Sequence, residues 1–277
     1  MMGYIFLIIN VLLIIKSTIN ALFLIELGAD SLPIAYLLVA IAAIAISYLY
    51  NRLTNLFPLD KIIRFTLSIS ILVLLLLVGL LYFQALSGLW LYFFYVGVAI
   101  YAVLATSQFW VLANLVFNAR EAKRLFSIIG AGAITGGIVG GYMATFLASV
   151  LGNESLIFVA AVLLCFCFPL LTFIWDSRVS KLNNFKQQKR LLPKAEHPFQ
   201  LIRSSKHLSY LAGIIAVGVV TARLIDFQFS DIASKKITDS EELTAFFGFW
   251  LSSFNLLSLL IQLFITRRIV GVWGVGF

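Results

Sequence analysis

The chain has 277 residues, 62% of them hydrophobic and only 12% charged, with a formal net charge of +8. A soluble domain is about half apolar and a quarter charged. A water-exposed globule of this composition would lack the polar residues to cover its surface, which sets aside a soluble bundle of buried helices.

Apolar stretches long enough to cross a bilayer, about 20 residues each, recur at roughly 4–25, 33–51, 62–84, 89–116, 125–151, 155–175, 208–230 and 243–265. Backbone in lipid must satisfy its hydrogen bonds within the segment, so spans this close together are helices. The alternating pattern of a membrane barrel is absent. The expected fold is all-α: a polytopic membrane protein of about eight transmembrane helices.

The first span begins almost at Met1, with no basic region ahead of it, so no cleavable signal peptide is expected. Lys16 stands in its middle, between "VLLII" and "STINALFLI", with Asn20 four residues on along the same face. A charge at membrane depth costs at least ~2.5–3.5 kcal/mol on insertion scales and is by default a functional candidate; the alternative is a lysine that snorkels to an interface. Gln108 and Tyr101 are polar positions of span 4. Span 5 follows in "NAREAKRLFSIIGAGAITGGIVGG", 118–141. Glycines near basic residues can cradle phosphate, but no Lys follows these glycines and no strand precedes them, so neither a P-loop nor a dinucleotide fingerprint fits. Read as a helix, Gly132, Gly136 and Gly140 recur every four residues, with Gly137 and Gly141 on an adjacent row. That is a small-residue face for close helix packing. "NAREAKR" is then the turn leading in, with Glu121 and Arg124 spaced as an i,i+3 pair.

Cys165 and Cys167 in span 6 have no other cysteine or membrane-depth histidine to join them as metal ligands and are expected as small apolar fillers. Residues 176–206 form the one long polar stretch, punctuated by Pro193 and Pro198. Span 7 carries Arg223, Asp226 and Ser230 on one row, either a self-neutralising pair between helices or a substrate contact. Span 8 carries Ser252, Asn255, Ser258 and Gln262 on one stripe, either a cavity lining or an interhelical hydrogen-bond seam. No set of residues reads as catalysis, no metal site is apparent, and no cofactor is expected.

The cations are placed asymmetrically. Sixteen of the twenty Lys and Arg fall between spans 2 and 3, 4 and 5, 6 and 7, or after span 8. Lys235 and Lys236 are the two on the other side, and Lys16 and Arg223 lie within spans. This distribution fits membrane topology rather than nucleic acid. The positive-inside rule puts the N-terminus and the basic loops, Glu121, Lys123 and Arg124 among them, in the cytoplasm. The expected location is the cell's inner membrane. Six spans, a long basic linker and further spans are the layout of transporters built from two six-helix halves. The expected division is 1–175 for the first half, 176–207 for the linker and 208–277 for an incomplete second half.

The stretch "FWVLANLVFNAREAKRLFSIIGAGAITGG" resembles the span-4-to-span-5 region of the nucleotide transporter family, the ATP/ADP translocases of plastids and intracellular bacteria and their relatives in free-living bacteria. Asn114, Glu121, Ala122, Lys123, Arg124, Leu125 and Phe126 match its characteristic turn. "LIIKSTINALFLIELGADSLP", "RLIDFQFSDIASKKITDSEELTAFFGFW" and "ITRRIVGVWG" resemble its first span, its seventh span with the external loop, and its loop after span 8. The resemblance implies a major-facilitator-like fold of twelve spans, of which this chain resembles about the first two-thirds. It implies that Lys16 binds nucleotide phosphates and that Asp226 stands where the family has an acidic residue. The family's basic–acidic pair after the lysine is here Ile19 and Asn20, and its frequent span-4 glutamate is Gln108. Lys16, Asn20, Gln108, Arg223, Asp226 and Asn255 are the candidate substrate-binding residues. The expected function is secondary transport of nucleotides, of the ATP/ADP exchange type, or of a related organic anion. The alternative is a non-transporting membrane subunit used for assembly or sensing. The expected partners are a small anionic substrate such as ATP or ADP, and membrane lipids at the basic loop.

Overall fold

A computed structural model describes residues 1–179 and 206–266. Within them run α1 (Met2–Leu27), α2 (Leu32–Leu56), α3 (Leu59–Tyr82), α4 (Gly88–Val116), α5 (Ala119–Cys165), α6 (Cys167–Ile174), α7 (Lys206–Lys236) and α8 (Ser240–Leu260), and these residues form no strand. Seven helical stretches among them are long and apolar enough to cross a membrane. The chain is an all-helical, multi-pass membrane protein. Most of the basic linker and both Arg267 and Arg268 lie outside the described residues.

Local chemistry sets the helix ends. Gly28, at φ 74°, ends α1, and its N–H donates to the Leu24 carbonyl at 3.0 Å; a non-glycine residue is strained there. Phe57 is extended ahead of Pro58 and separates α2 from α3. The turn into α5 is a reciprocal capping box. Asn118 Oδ1 accepts from the Glu121 N–H at 3.0 Å, and the Asn118 N–H donates to Glu121 Oε2 at 3.2 Å. The Glu121 carboxylate therefore caps the helix, while the side chains of Lys123 and Arg124 lie outside the described residues. Asp239 caps α8, accepting from the N–H groups of Glu241 and Glu242 at 2.9 Å each.

Spans 5 and 6 share one apolar run, 128–177, of 50 residues. That is more than twice the length of a single crossing. Gly152, at φ 79° and ψ 166°, breaks the helical path within α5. The chain turns back there: α6 packs against α1, and Thr172, near its end, accepts a 3.0 Å hydrogen bond from Arg64 at the start of α3. Asn153 Nδ2 donates to Ser240 Oγ at 3.2 Å and ties this turn to the start of α8.

At the centre stands α1, buried on nearly every side among α4, α5 and α8. Its Ser17 and Thr18 hydroxyls donate to the Leu13 and Ile14 carbonyls at 2.9 and 3.0 Å, so neither is left unsatisfied in the core. The glycines of α5 permit the packing. A methyl group built on Gly132 meets the side chain of Met2 at 2.7 Å; one on Gly136 meets Cα of Phe6 at 3.0 Å; one on Gly140 meets Cα of Asn10 at 2.8 Å. Both helices thus step by four residues along one contact, backbone against backbone. The second row faces α8. Gly137 lies under the Asn255 amide, Gly141 faces Gly248 and Ser252, and Ser252 Oγ donates to the Ile138 carbonyl at 2.9 Å. By contrast, α2, α3 and α7 present exposed apolar side chains such as Ile44, Leu72 and Ile214, the surface that lipid covers.

Candidate functional site

Residues of α1, α2 and α4, with Arg223 of α7, line an open cavity of about 270 Å³. It brings Lys16, Asn20 and Arg223 together although α1 and α7 are some 200 residues apart in sequence. The remaining lining is apolar or aromatic, including Leu12, Ile19, Val39, Ile46 and Tyr95, and contains no carboxylate. Lys16 is half-buried. Among the described residues it makes no hydrogen bond or ion pair, and the neighbouring hydroxyls of Ser17 and Thr18 are committed to their own helix. Asn20 is 7% exposed, and its amide likewise makes no protein hydrogen bond among the described residues.

Arg223 belongs to a second cluster at the cavity's edge. Its Nη1 lies 3.5 Å from Asp226 Oδ2, and its guanidinium lies 5.2 Å from the ring centre of Tyr36. The Tyr36 hydroxyl donates to the same Asp226 oxygen at 3.2 Å. The Tyr95 ring lies 6.4 Å from that of Tyr36. One carboxylate oxygen thus holds α2 and α7 together and draws on Arg223 at the same time. Sequence reasoning singled out neither Tyr36 nor Tyr95. A tyrosine in an apolar helix carries no positional signal, and only the approach of α2, α4 and α7 reveals the pair.

The other candidates stand elsewhere. Gln108 is buried, and its Nε2 donates to Thr66 Oγ1 at 2.9 Å, joining α4 to α3 outside the cavity. The Tyr101 hydroxyl donates to the Ile8 carbonyl at 3.4 Å. Asn255 lies in the α5–α8 seam over Gly137, with its Nδ2 donating to the Leu251 carbonyl at 2.8 Å. Glu121 caps α5, away from the cavity. Gly132, Gly136 and Gly140 stand in the α1–α5 contact.

Chemically, two cations in an apolar cavity, one of them shared with Asp226 at its edge, suit an anion. At about 270 Å³ the cavity is smaller than the ~300–1,000 Å³ typical of sites for drug-sized ligands.

A sequence model of one family, described as TLC ATP/ADP transporter, matches residues 22–277. Lys16 and Asn20 precede the matched stretch, while Gln108, Arg223, Asp226 and the "NAREAKR" turn lie inside it. No curated protein and no solved structure matches the chain.

Proposed function

Because the chain belongs to the TLC ATP/ADP transporter family, a family of nucleotide transporters rather than enzymes, we propose that it exchanges nucleotides such as ATP and ADP across a membrane by alternating access. A polyanion cannot enter a hydrocarbon layer ~30 Å thick, so a cavity has to replace its water. Lys16 and Arg223 are the cations that do so, and Asn20 adds an uncommitted amide. The observation that carries this reading is Lys16 itself: a lysine at membrane depth facing a cavity, with no counter-ion among the described residues. An anion brought from solution supplies that counter-ion, and Lys16 binds it as a mobile point charge. Asp226 competes with the substrate for Arg223, so phosphate entry displaces a carboxylate.

In the same reading, the division at 176–207 separates two halves that rock about the site. The α5–α8 seam, glycine against glycine at Gly141 and Gly248, is the contact along which they move. The N-terminus and the basic loops face the cytoplasm at the cell's inner membrane, where the loops raise the local concentration of anions.

Uptake of labelled ATP and ADP into expressing cells, alongside protein levels, tests the proposal. Lys16→Ala abolishes uptake with expression unchanged; Lys16→Arg keeps the charge, changes its shape and retains part of the uptake. A Lys16→Ala protein as active as the unmodified chain refutes the phosphate role. Absence of nucleotide binding by the purified protein moves the reading to a non-transporting membrane subunit.

A further inference from the structure

A second cavity, of about 320 Å³, lies between α1, α2, α3 and α4. It is long rather than round: along α3 its lining runs from Ile62 to Leu77, a rise of roughly 22 Å at 1.5 Å per residue. It opens sideways. Leu49, Phe65 and Ile69 line it and are also 49%, 61% and 45% exposed, so its mouth lies between α2 and α3. These helices are consecutive in the chain yet hardly touch.

The wall is apolar apart from four hydroxyls, three of which are engaged. Thr66 donates to the Ile62 carbonyl, Ser70 to the Thr66 carbonyl and Tyr101 to the Ile8 carbonyl. The fourth, the Tyr50 hydroxyl, is buried with no hydrogen-bond partner, a condition that native structures avoid. It lies at the end of the groove where Arg52 and Lys61 are exposed, two residues beyond Tyr50 and one before Ile62. At the opposite end, residues 83–87 contain no cation.

We propose that this groove binds one acyl chain of an anionic phospholipid, with its headgroup at Tyr50, Arg52 and Lys61. The mouth opens where hydrocarbon surrounds the protein. The groove's length suits an acyl chain that starts at one membrane surface and reaches past the midplane of a layer ~30 Å thick. An ester or phosphate oxygen accepts the Tyr50 hydrogen bond that the protein leaves unmade. The two exposed cations select a negative headgroup. The chain then fills the gap between α2 and α3 and backs Ile19, Ile46, Val98 and Ile100, which also line the smaller cavity. This site does not depend on nucleotide transport.

Gly97 gives the test. It lines the groove, and a methyl group built on it meets nothing within 4 Å. Gly97→Phe therefore places a ring in the acyl position without a backbone clash. The full chain, purified and stripped of lipid, is mixed with phosphatidylglycerol or phosphatidylcholine in detergent and weighed by native mass spectrometry. The unmodified chain retains one phosphatidylglycerol; Gly97→Phe retains none and melts no lower than the stripped parent. Arg52→Gln with Lys61→Gln still retains lipid but loses about fivefold per cation in preference for phosphatidylglycerol over phosphatidylcholine. In the unmodified chain, a photoactivatable acyl chain on phosphatidylglycerol labels 62–77, a readout that does not depend on any variant folding. Equal retention by the parent and Gly97→Phe, equal retention of the two lipids by the parent, or labelling confined to α5 and α7 overturns the proposal.

Discussion

Gly140→Ala and Gly130→Ala are the same chemical change on one helix, and they should shift stability in opposite directions. An alanine relaxes the intrinsic penalty of a helical glycine by ~1 kcal/mol. At Gly130 the new methyl meets nothing within 4 Å, so the gain is kept. At Gly140 the methyl would sit 2.8 Å from Cα of Asn10 and closer still to its carbonyl oxygen. Both are backbone atoms, so neither can swing aside as a side chain would. Overpacking of this kind costs ~1–3 kcal/mol, which cancels or exceeds the propensity gain and leaves a net loss of up to ~2 kcal/mol. Gly140→Leu adds an isobutyl group where the helices touch and should prevent α1 and α5 from closing. The assay is thermal unfolding of detergent-solubilised protein, followed by the fraction that stays monodisperse on size exclusion. Gly130→Ala melts at or above the parent and Gly140→Ala below it, while Gly140→Leu yields little folded protein. Equal shifts for the two alanines, or a Gly140→Leu protein as stable as the parent, would show that this row does not carry the α1–α5 contact.

Asp226→Leu leaves Arg223 without its carboxylate, so folded protein should fall; the Arg223→Leu and Asp226→Leu double variant should recover it. An Asp226→Leu protein as stable as the parent would show that the pair contributes nothing to the fold. Cysteine placed at Ser180 should react with a membrane-impermeant reagent only from the cytoplasmic side, and labelling from outside intact cells would overturn the proposed orientation.

The helical plan is legible in the sequence because lipid simplifies the rules. An apolar run of about 20 residues has one way to satisfy its backbone, and the eight expected runs fall on α1 to α8 and the π-helical turns Trp175–Val179 and Ile261–Thr266, with the third running two residues past Tyr82 and the sixth beginning in α5 and continuing through α6. The glycine spacing also carried its partner geometry: a step of four on α5 can only be matched by a step of four on the helix it meets, here Met2, Phe6 and Asn10. Which helix that would be was not legible. Gly132, Gly136 and Gly140 face α1 while Gly137 and Gly141 face α8, and nothing in a repeat of small residues names the partner. The tight reversal between spans 5 and 6 falls in the gap left between the expected spans, at 152–154, and rests on one glycine, Gly152. Glu121 reads as a partner for Arg124 by spacing, and spacing alone does not announce its other role: its carboxylate accepts from the Asn118 N–H, one of the N–H groups that a helix start leaves free.

The site divides along the same line. Lys16, Arg223 and Asp226 were visible as charges in apolar surroundings, but a charge in a membrane helix says only that something must compensate it. For Arg223 the compensation is protein: Asp226 at 3.5 Å and the face of Tyr36. The Tyr36–Asp226 bond joins residues 190 apart in the chain, so no local pattern could announce it. Lys16 has no such partner among the described residues, yet it is only half-buried and opens into the same cavity. A lone ammonium is tolerable there only if the cavity admits water or an anion, because dry hydrocarbon would expel it. The two cations thus differ in kind. Arg223 already shares one nitrogen with Asp226, whereas Lys16 makes no ion pair among the described residues. In the proposed transport, an incoming anion meets Lys16 unopposed and competes with Asp226 for Arg223, beside the Tyr36–Asp226 bond that joins α2 to α7.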